Sequence, residues 1–390
     1  MIILKCPEIR FKNDDGNNYP NWEDKKLDNV FKFYKGKGIS KIELSEEGIP
    51  CIIYGELYTK YREVIGVVKS KTNIKKELLF MSEIGDILIP SSGETQKDIA
   101  TASTVMEKNV ALGGDINILR SKETINSPYV SYYLKHIKNI EISKLSQGNS
   151  VVHLYSKQLS NLKIEIPSLE EQQKIGDFFM LLDKRIEQQE QKIALLKDYK
   201  KAMMQKIFSQ KIRFKDENGN DYPDWEEKKF LNIFFSIPSR AYQIFKTEIF
   251  SNGKIPVVDQ GKKKVAGYSN EIKKICDKTP CIVFGDHTTE LKYIDFPFII
   301  GADGTKILRN HIANSTLFLY YLLLENNVEQ EGYKRHFSIL TKKSFDIPMI
   351  KEQEKIASFL STIDFNIEKQ EGILENLKNQ KGVLLHKMFI

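Results

Sequence analysis

Cysteine is scarce in this chain, and the four it has (Cys6, Cys51, Cys276, Cys281) show no Cys-x-x-Cys or histidine-paired spacing. That excludes a disulfide framework and a zinc knuckle, and leaves free thiols in a reducing compartment. No apolar run approaches the roughly 20 residues a membrane helix needs, so a spanning segment is excluded too. The opening Met1-Ile2-Ile3-Leu4-Lys5-Cys6-Pro7 is too short and wrongly flanked for a secretory signal, and a cytoplasmic location is expected. Adjacent prolines are missing, and with them the Asn/Asp-Pro-Pro-Tyr/Phe tetrapeptide that holds the target amine in amino-methyltransferases. A Gly-x-x-x-x-Gly-Lys-Ser/Thr loop is missing as well, which rules out ATP-driven movement by this chain.

What imitates catalysis is thin. Tyr34-Lys35-Gly36-Lys37-Gly38 has the aromatic-x-Gly-x-Gly look of a methyl-donor loop, but a lone glycine loop is more often a plain turn or a lysine-bearing loop near phosphate. Asp259 with Glu271-Ile272-Lys273 has the look of a metal-dependent nuclease, a spacing that chance supplies where 28% of residues are charged. Neither a cofactor nor a metal site is expected. With 41% hydrophobic residues the composition is that of an ordinary folded protein, and 390 residues suit two domains plus connecting structure. The net charge of +7 suits a nucleic-acid partner.

Against these absences stands one strong positive feature: the chain contains itself twice. Ile9-Arg10-Phe11-Lys12, Gly16-Asn17, Tyr19-Pro20 and Trp22-Glu23 return 203 residues later as Ile212-Arg213-Phe214-Lys215, Gly219-Asn220, Tyr222-Pro223 and Trp225-Glu226. A second block, Ile166-Pro167, Glu171-Gln172 and Lys174-Ile175, returns at an offset of 181 as Ile347-Pro348, Glu352-Gln353 and Lys355-Ile356. Long stretches that barely resemble each other lie between the copies. Near-identical frames around unlike inserts suggest one scaffold presenting two different reading heads.

After each Ile-Pro the apolar residues keep a strict heptad seam. The first runs Ile175, Phe179, Leu182, Ile186, Gln189, Ile193, Leu196, Lys200, Met203, Ile207; the second runs Ile356, Leu360, Ile363, Ile367, Gln370, Leu374, Leu377, Lys381, Leu384, Met388. The two match position for position, polar interruptions included. Two helices of about 40 residues, each roughly 60 Å long, are expected to pair as a coiled coil. Antiparallel pairing would put the inserts at opposite ends. Gln and Lys within the seam are expected to fix register at some cost in stability. Ser168 and Glu171 predict a capping box for the first helix, which Met349 spoils in the second. The first helix continues through Ser209-Gln210-Lys211 into Ile212-Arg213-Phe214, whereas the counterpart of that continuation is residues 1–11. The repeat is therefore circular, with the two ends of the chain expected close together.

Weak parallels survive between the inserts. Gly48-Ile49-Pro50-Cys51 answers Gly253-Lys254-Ile255-Pro256, Asp86-Ile87-Leu88 answers Cys281-Ile282-Val283, and Ile118-Leu119-Arg120 answers Ile307-Leu308-Arg309. Tyr132-Tyr133-Leu134 answers Tyr320-Tyr321-Leu322, each read as an amphipathic helix. Short β-branched and aromatic runs bounded by Gly, Pro and Asp read as strands. Each insert is thus expected to be an α+β domain of one shared fold with different loops.

A Tyr-Pro-x-Trp opening, a variable domain and an Ile-Pro … Glu-Gln-x-Lys-Ile exit helix, the whole repeated once, resembles the specificity subunit of type I restriction-modification systems. The resemblance covers essentially the full chain. It implies an α+β protein in which two target-recognition domains of shared fold are joined by two long helices in an antiparallel coiled coil with pseudo-twofold, circular symmetry. The expected divisions are 1–165 (first recognition domain, opening with the repeated segment 1–26), 166–211 (central helix), 212–346 (second recognition domain, opening with 212–229) and 347–390 (terminal helix). It also implies that each domain reads half of a bipartite duplex DNA target, that the helices set the gap, and that two methyltransferase subunits dock on them. Restriction subunits would join through the methyltransferase subunits. S-adenosylmethionine, ATP and Mg are expected on those partners, none on this chain.

Base reading needs Arg, Lys, Gln, Asn, Ser or Thr side chains at base edges, with Lys, Arg and Tyr bracketing the phosphates, and the best clusters of such polar residues sit in expected loops. The candidates are Tyr58, Lys60, Arg62, Ser91, Ser92, Gln96, Asn149 and His153 in the first insert, and Gln260, Lys262, Lys263, Tyr268, His287, Thr288, Lys334, Arg335 and His336 in the second. Gly148 … His153 and Gly332 … His336 stand at comparable places before the exit Ile-Pro. Two other classes compete: a stand-alone restriction-methylation enzyme, against which the missing tetrapeptide speaks, and a coiled-coil scaffold without DNA contact.

Overall fold

The computed structural model describes residues 7–148, 151–311, 314–332 and 334–389. They form two compact units, one of residues 1–190 with 372–390, the other of residues 191–371. Each unit holds one insert and one half of each long helix, Leu169–Phe208 and Ile350–Phe389.

In both units the chain enters the insert on a strand that pairs antiparallel with the strand on which it leaves. Glu23–Lys26 lies on Lys163–Ile166 in the first, and Glu226–Lys229 on Ser344–Ile347 in the second. A larger sheet follows. In the first unit its order is Phe31–Lys35, Ile116–Ser121, Asp86–Pro90, Ser103–Val105, Val64–Ile65. In the second it is Phe234–Ile237, Thr305–Asn310, Cys281–Gly285, Leu291–Ile294. The central strands Asp86–Pro90 and Cys281–Gly285 are buried along their whole length, which is why Ile87-Leu88-Ile89 and Cys281-Ile282-Val283-Phe284 read as apolar runs. Ile87 faces Leu119 as Ile282 faces Leu308, so the inserts share one register as well as one order. A second sheet is built on Ile49–Ile52 and Ile255–Val258, whose neighbours Ser70–Thr72 and Gly267–Ser269 are again equivalent. Gly48 turns into the first of these with φ +116°, where a Cβ would lie 2.4 Å from the Thr72 carbonyl oxygen.

The tyrosine helices lie between sheet and long helices. They span Ser127–His136 and Thr316–Glu325, capped by Asn126 and Ser315. Both are buried on nearly every side instead of amphipathic, since a sheet covers one flank and a long helix the other. The pairing of the two helices also shifts by one residue from the sequence reading. Tyr132 donates its hydroxyl to Asp183, and its equivalent is Tyr321, which donates to Asp364 at 2.7 Å.

The copied residues turn out to touch each other. Glu171, with no exposed surface, accepts Arg10 Nε at 2.9 Å, Arg10 Nη2 at 2.6 Å and Trp22 Nε1 at 3.2 Å. Glu352 accepts Arg213 Nε at 3.2 Å, Arg213 Nη2 at 2.8 Å and Trp225 Nε1 at 3.2 Å. Gln172 and Gln353 accept the backbone N–H of Asn126 and Ser315 and donate to the carbonyls of Pro167 and Pro348. Lys174 and Lys355 sit over the rings of Tyr19 and Tyr222, and Phe11 and Phe214 meet Phe178 and Phe359 edge-on. The Arg, Trp, Glu, Gln, Lys, Tyr and Phe of the repeated motifs thus form a knot in each unit that ties an insert to its helix. The capping box is only half made: Ser168 Oγ accepts the Glu171 N–H at 3.4 Å, but the Glu171 carboxylate goes to Arg10 and Trp22.

Within each unit the long helices run antiparallel. Lys381 meets Asp183 and Lys378 meets Glu190 in the first; Lys200 meets Asp364 and Lys197 meets Glu371 in the second. All twenty seam residues are buried or half-buried. At the seam lysines the ammonium is 2.6 Å from Asp183 or Asp364 and lies over Tyr132 or Tyr321 at 5.1 Å. Each lysine therefore ties both helices and one recognition domain together. Burial, then Asp183, pushes the Tyr132 hydroxyl well above its ordinary range, so it stays a donor. The circular repeat closes as well: Ile9 N–H donates to the Lys387 carbonyl at 3.0 Å, and Ile212 N–H donates to that of Lys206 at 3.1 Å.

Candidate nucleic-acid interface

Four loops of the second insert meet on one face, at the ends of the central strands. They are 259–264, 286–289, 301–304 and, among the described residues, 330–332 with 334–336. Gln260 organises three of them. Its side-chain amide donates to the Asp303 carbonyl at 2.9 Å and accepts His287 N–H at 3.2 Å, while its own carbonyl accepts the Thr288 hydroxyl at 2.5 Å. His287 Nδ1 lies 3.1 Å from the Lys334 carbonyl, and Gln330 Nε2 donates to the His287 carbonyl at 3.3 Å. Thr289 adopts φ 58°, a conformation unfavourable for a β-branched residue, held by Asn327 Nδ2 on its carbonyl. The sequence reading had missed Asp286, the buried hub. Its N–H reaches Gly304, its carbonyl takes His336, and its carboxylate accepts Phe337 N–H at 2.8 Å. Only its place after an apolar strand and glycine could have hinted at this.

His336 moves out of the list of readers. It is fully buried, accepts Glu331 N–H on Nε2 at 3.1 Å and places Nδ1 3.0 Å from the Asp286 carbonyl. The first insert explains why. Leu154 N–H donates to Ser91 O as His336 N–H donates to Asp286 O, so the equivalent of His336 is a fully buried leucine. By the same pairing Arg335 answers His153. Arg335, Lys263 and Lys334 are exposed, Lys334 beside Glu331 at 2.8 Å. Lys262 is exposed on its loop and faces a cleft beside Tyr293. Tyr268 lies on Gly267–Ser269, its backbone paired with Phe250, outside the hydrogen-bonded loop cluster.

The first insert builds the corresponding face from 53–60, 91–98 and, among the described residues, 147–148 with 151–155. Val152–His153 pairs with Ser92–Gly93, and Ser92 Oγ lies 3.1 Å from His153 Nδ1, whose ring stacks on Tyr155. Ser91 and Ser92 are buried, so they shape this face from beneath; Gln96 is exposed at the start of a short helix capped by Thr95. Tyr58 is half-buried on Glu56–Thr59. Lys60 is held by the buried Glu56 at 2.6 Å. Arg62 turns away altogether, bonded to Glu190 at 2.7 Å and within 3.6 Å of Asp183 on the long helix. Asn149 lies outside the described residues.

The two imitations of catalytic motifs sit as follows in the fold. A Cβ on Gly36 would fall 1.9 Å from the Gly113 carbonyl oxygen, so at Gly36 that loop packs backbone on backbone. Asp259 accepts Gly261 N–H and faces Lys292, whereas Glu271 caps its own turn at Lys273. Among the described residues no group of His, Cys, Asp and Glu is arranged to hold a metal ion, and no helix is long and apolar enough to cross a membrane.

The model of a family described as the type I restriction modification DNA specificity domain matches residues 19–198 and again 222–379. The chain belongs to that family. It is accordingly a DNA-specificity subunit, the recognition component of a restriction-modification complex and not its catalyst. Among curated proteins it is similar to the putative type I restriction enzyme MjaX specificity subunit of Methanocaldococcus jannaschii, 25% identical over 418 residues, covering 99% of this chain and 97% of that one. It also resembles the EcoR124I/EcoR124II specificity subunit of Escherichia coli, 34% identical over 130 residues, 32% of each. Of solved structures, the type I S subunit from M. genitalium superposes with a TM-score of 0.68 at 16% identity, over 99% of both chains. The shared fold is that of two recognition domains on paired long helices.

Proposed function

We propose that each domain (1–165 and 212–346) of this specificity subunit reads one half of a bipartite duplex target, with the helices 166–211 and 347–390 setting the gap. The observation that carries this is the contrast between knot and loops: residues copied between the units hold the frame, while the loops that differ form one exposed face on each insert. His153 and Arg335, at equivalent positions beside Leu154 and His336, are the leading base readers. Gln96, Gln260, His287 and Thr288 support them, and Lys60, Lys263, Lys334 and Tyr58 serve the phosphates. Two methyltransferase subunits dock on the outer faces of the helices, where Leu181 and Leu195 are 68% and 69% exposed, and restriction subunits join through them. S-adenosylmethionine, ATP and Mg belong to those partners, and the complex works in the cytoplasm.

The test is a bind-and-select assay on random duplexes, with wild type and Arg335→Ala, in the presence of methyltransferase subunits. Arg335→Ala should relax one half-site, by about 1–3 kcal/mol at the base concerned, and leave the other intact. Simultaneous loss of both half-sites would defeat the modular reading.

A further inference from the structure

The two sheets differ at one edge. In the first unit, Ser103–Val105 is flanked by the parallel strand Val64–Ile65, with Thr104 N–H donating to Glu63 O at 2.8 Å and Met106 N–H to Ile65 O at 3.0 Å. By register its equivalent in the second unit is Leu291–Ile294, Thr104 answering Tyr293, since Thr104 faces Ile87 as Tyr293 faces Ile282. That strand ends its sheet, and no strand among the described residues covers its outer side. The reason is a deletion. Between the equivalent strands lie residues 53–69 in the first unit but only 259–266 in the second, nine residues fewer, and the missing stretch is the one that carries Val64–Ile65.

In place of that strand there is a cleft of about 460 Å³, lined by Lys262, Tyr293, Tyr320, Asp364, Phe365 and Glu368 among others. The first unit shows what such a space takes. There Arg62 bonds Glu190 and approaches Asp183, and the buried Glu63 meets His136, Lys135 and Lys381. The corresponding groups in the second unit are Asp364, Glu371 and Lys200. Asp364 holds Lys200 and the Tyr321 hydroxyl, and Glu371 holds Lys197; among the described residues no arginine joins them, and Lys200 has no second carboxylate such as Lys381 has. A bare sheet edge with carboxylates on one side and an ammonium beyond is complementary to an extended chain carrying a cation, then an anion, then β-branched residues.

We propose that an extended segment of a partner protein adds to Leu291–Ile294 as a parallel fifth strand. Its basic side chain lies on Asp364 and Glu371, its acidic side chain on Lys200, and its β-branched residues against Tyr293 and Tyr320. The proposal rests on the fold alone, so failure of the DNA-reading assignment would leave it standing.

The probe is a fluorescein-labelled peptide of this chain's own residues 59–68, Thr-Lys-Tyr-Arg-Glu-Val-Ile-Gly-Val-Val, titrated with the full-length protein and read by anisotropy. Saturable binding is expected. It should weaken at least tenfold when the peptide arginine becomes glutamate, a change that leaves the protein untouched. Tyr293→Pro in the protein, which removes an outward N–H at a sheet edge where proline is tolerated, should weaken it similarly without altering target-duplex binding. No saturable binding, equal binding of the reversed-charge peptide, or displacement of the peptide by non-target duplex would overturn the proposal, the last outcome making the cleft a phosphate site.

Discussion

Replacing Glu352 by glutamine keeps the shape of the knot in the second unit and removes its charge. Glu352 has no exposed surface and accepts three hydrogen bonds, two from Arg213 and one from Trp225. Removing one partner of a buried ion pair costs about 3–5 kcal/mol. Here the arginine side chain is 20% exposed and keeps the carbonyls of Tyr222 and Pro223, and glutamine retains one acceptor, so the lower end applies, about 3 kcal/mol. For a unit of this size each kcal/mol moves the midpoint by about 2–4 °C, which gives a fall of roughly 6–12 °C. The chain's two tryptophans are Trp22 and Trp225, one in each knot, so each reports its own unit. In a Trp22→Phe background, Glu352→Gln should lower the Trp225 fluorescence transition by that amount. In a Trp225→Phe background, the Trp22 transition should stay where it was. A fall under about 3 °C, or an equal fall in both, would refute the reasoning.

Acid should loosen the first unit through Glu63. Burial pushes that carboxyl up, but the His136 hydrogen bond and the charges of Lys135 and Lys381 outweigh it and hold it well below its ordinary 4.5. Its stabilisation is therefore complete above about pH 4.5 and is lost as pH falls toward the folded value, and Glu63→Gln should flatten the acid limb of Trp22-detected stability. Burial raises the Cys51 thiol to about 11 and the Cys281 thiol to about 12. Alkylation by iodoacetamide at pH 8, mapped by mass spectrometry, should be at least roughly a hundredfold slower at both in native than in urea-unfolded protein. Equal rates would mean that these thiols are open to solvent. Inserting one heptad into each long helix, in register, adds about 10 Å and should lengthen the preferred gap by about three base pairs in the selection assay. An unchanged gap would sink the spacer reading.

The frame was legible because its signals are local and doubled. A heptad seam needs only spacing, and the copied Arg, Trp, Glu and Gln announced themselves by recurring, although what they do for one another required coordinates. The one-residue shift between the tyrosine helices was invisible to pattern, since Tyr132-Tyr133 and Tyr320-Tyr321 match equally well by eye; the bonds to Asp183 and Asp364 decide it. Loop residues were harder. Lysine, arginine and histidine in a loop look alike in sequence whether they face solvent, as Arg335 does, a helix carboxylate, as Arg62 does, or the interior, as His336 does. Burial of a polar side chain depends on a distant acceptor, here the Asp286 carbonyl fifty residues away in sequence.

Each insert begins and finishes on neighbouring strands, Glu23 opposite Ile166 and Glu226 opposite Ile347. A recombination joint placed in those paired strands would therefore exchange a whole reader like a cartridge. The knot of Arg, Trp and Glu would stay with the receiving frame, so a new specificity could be installed by two crossovers without redesigning the spine.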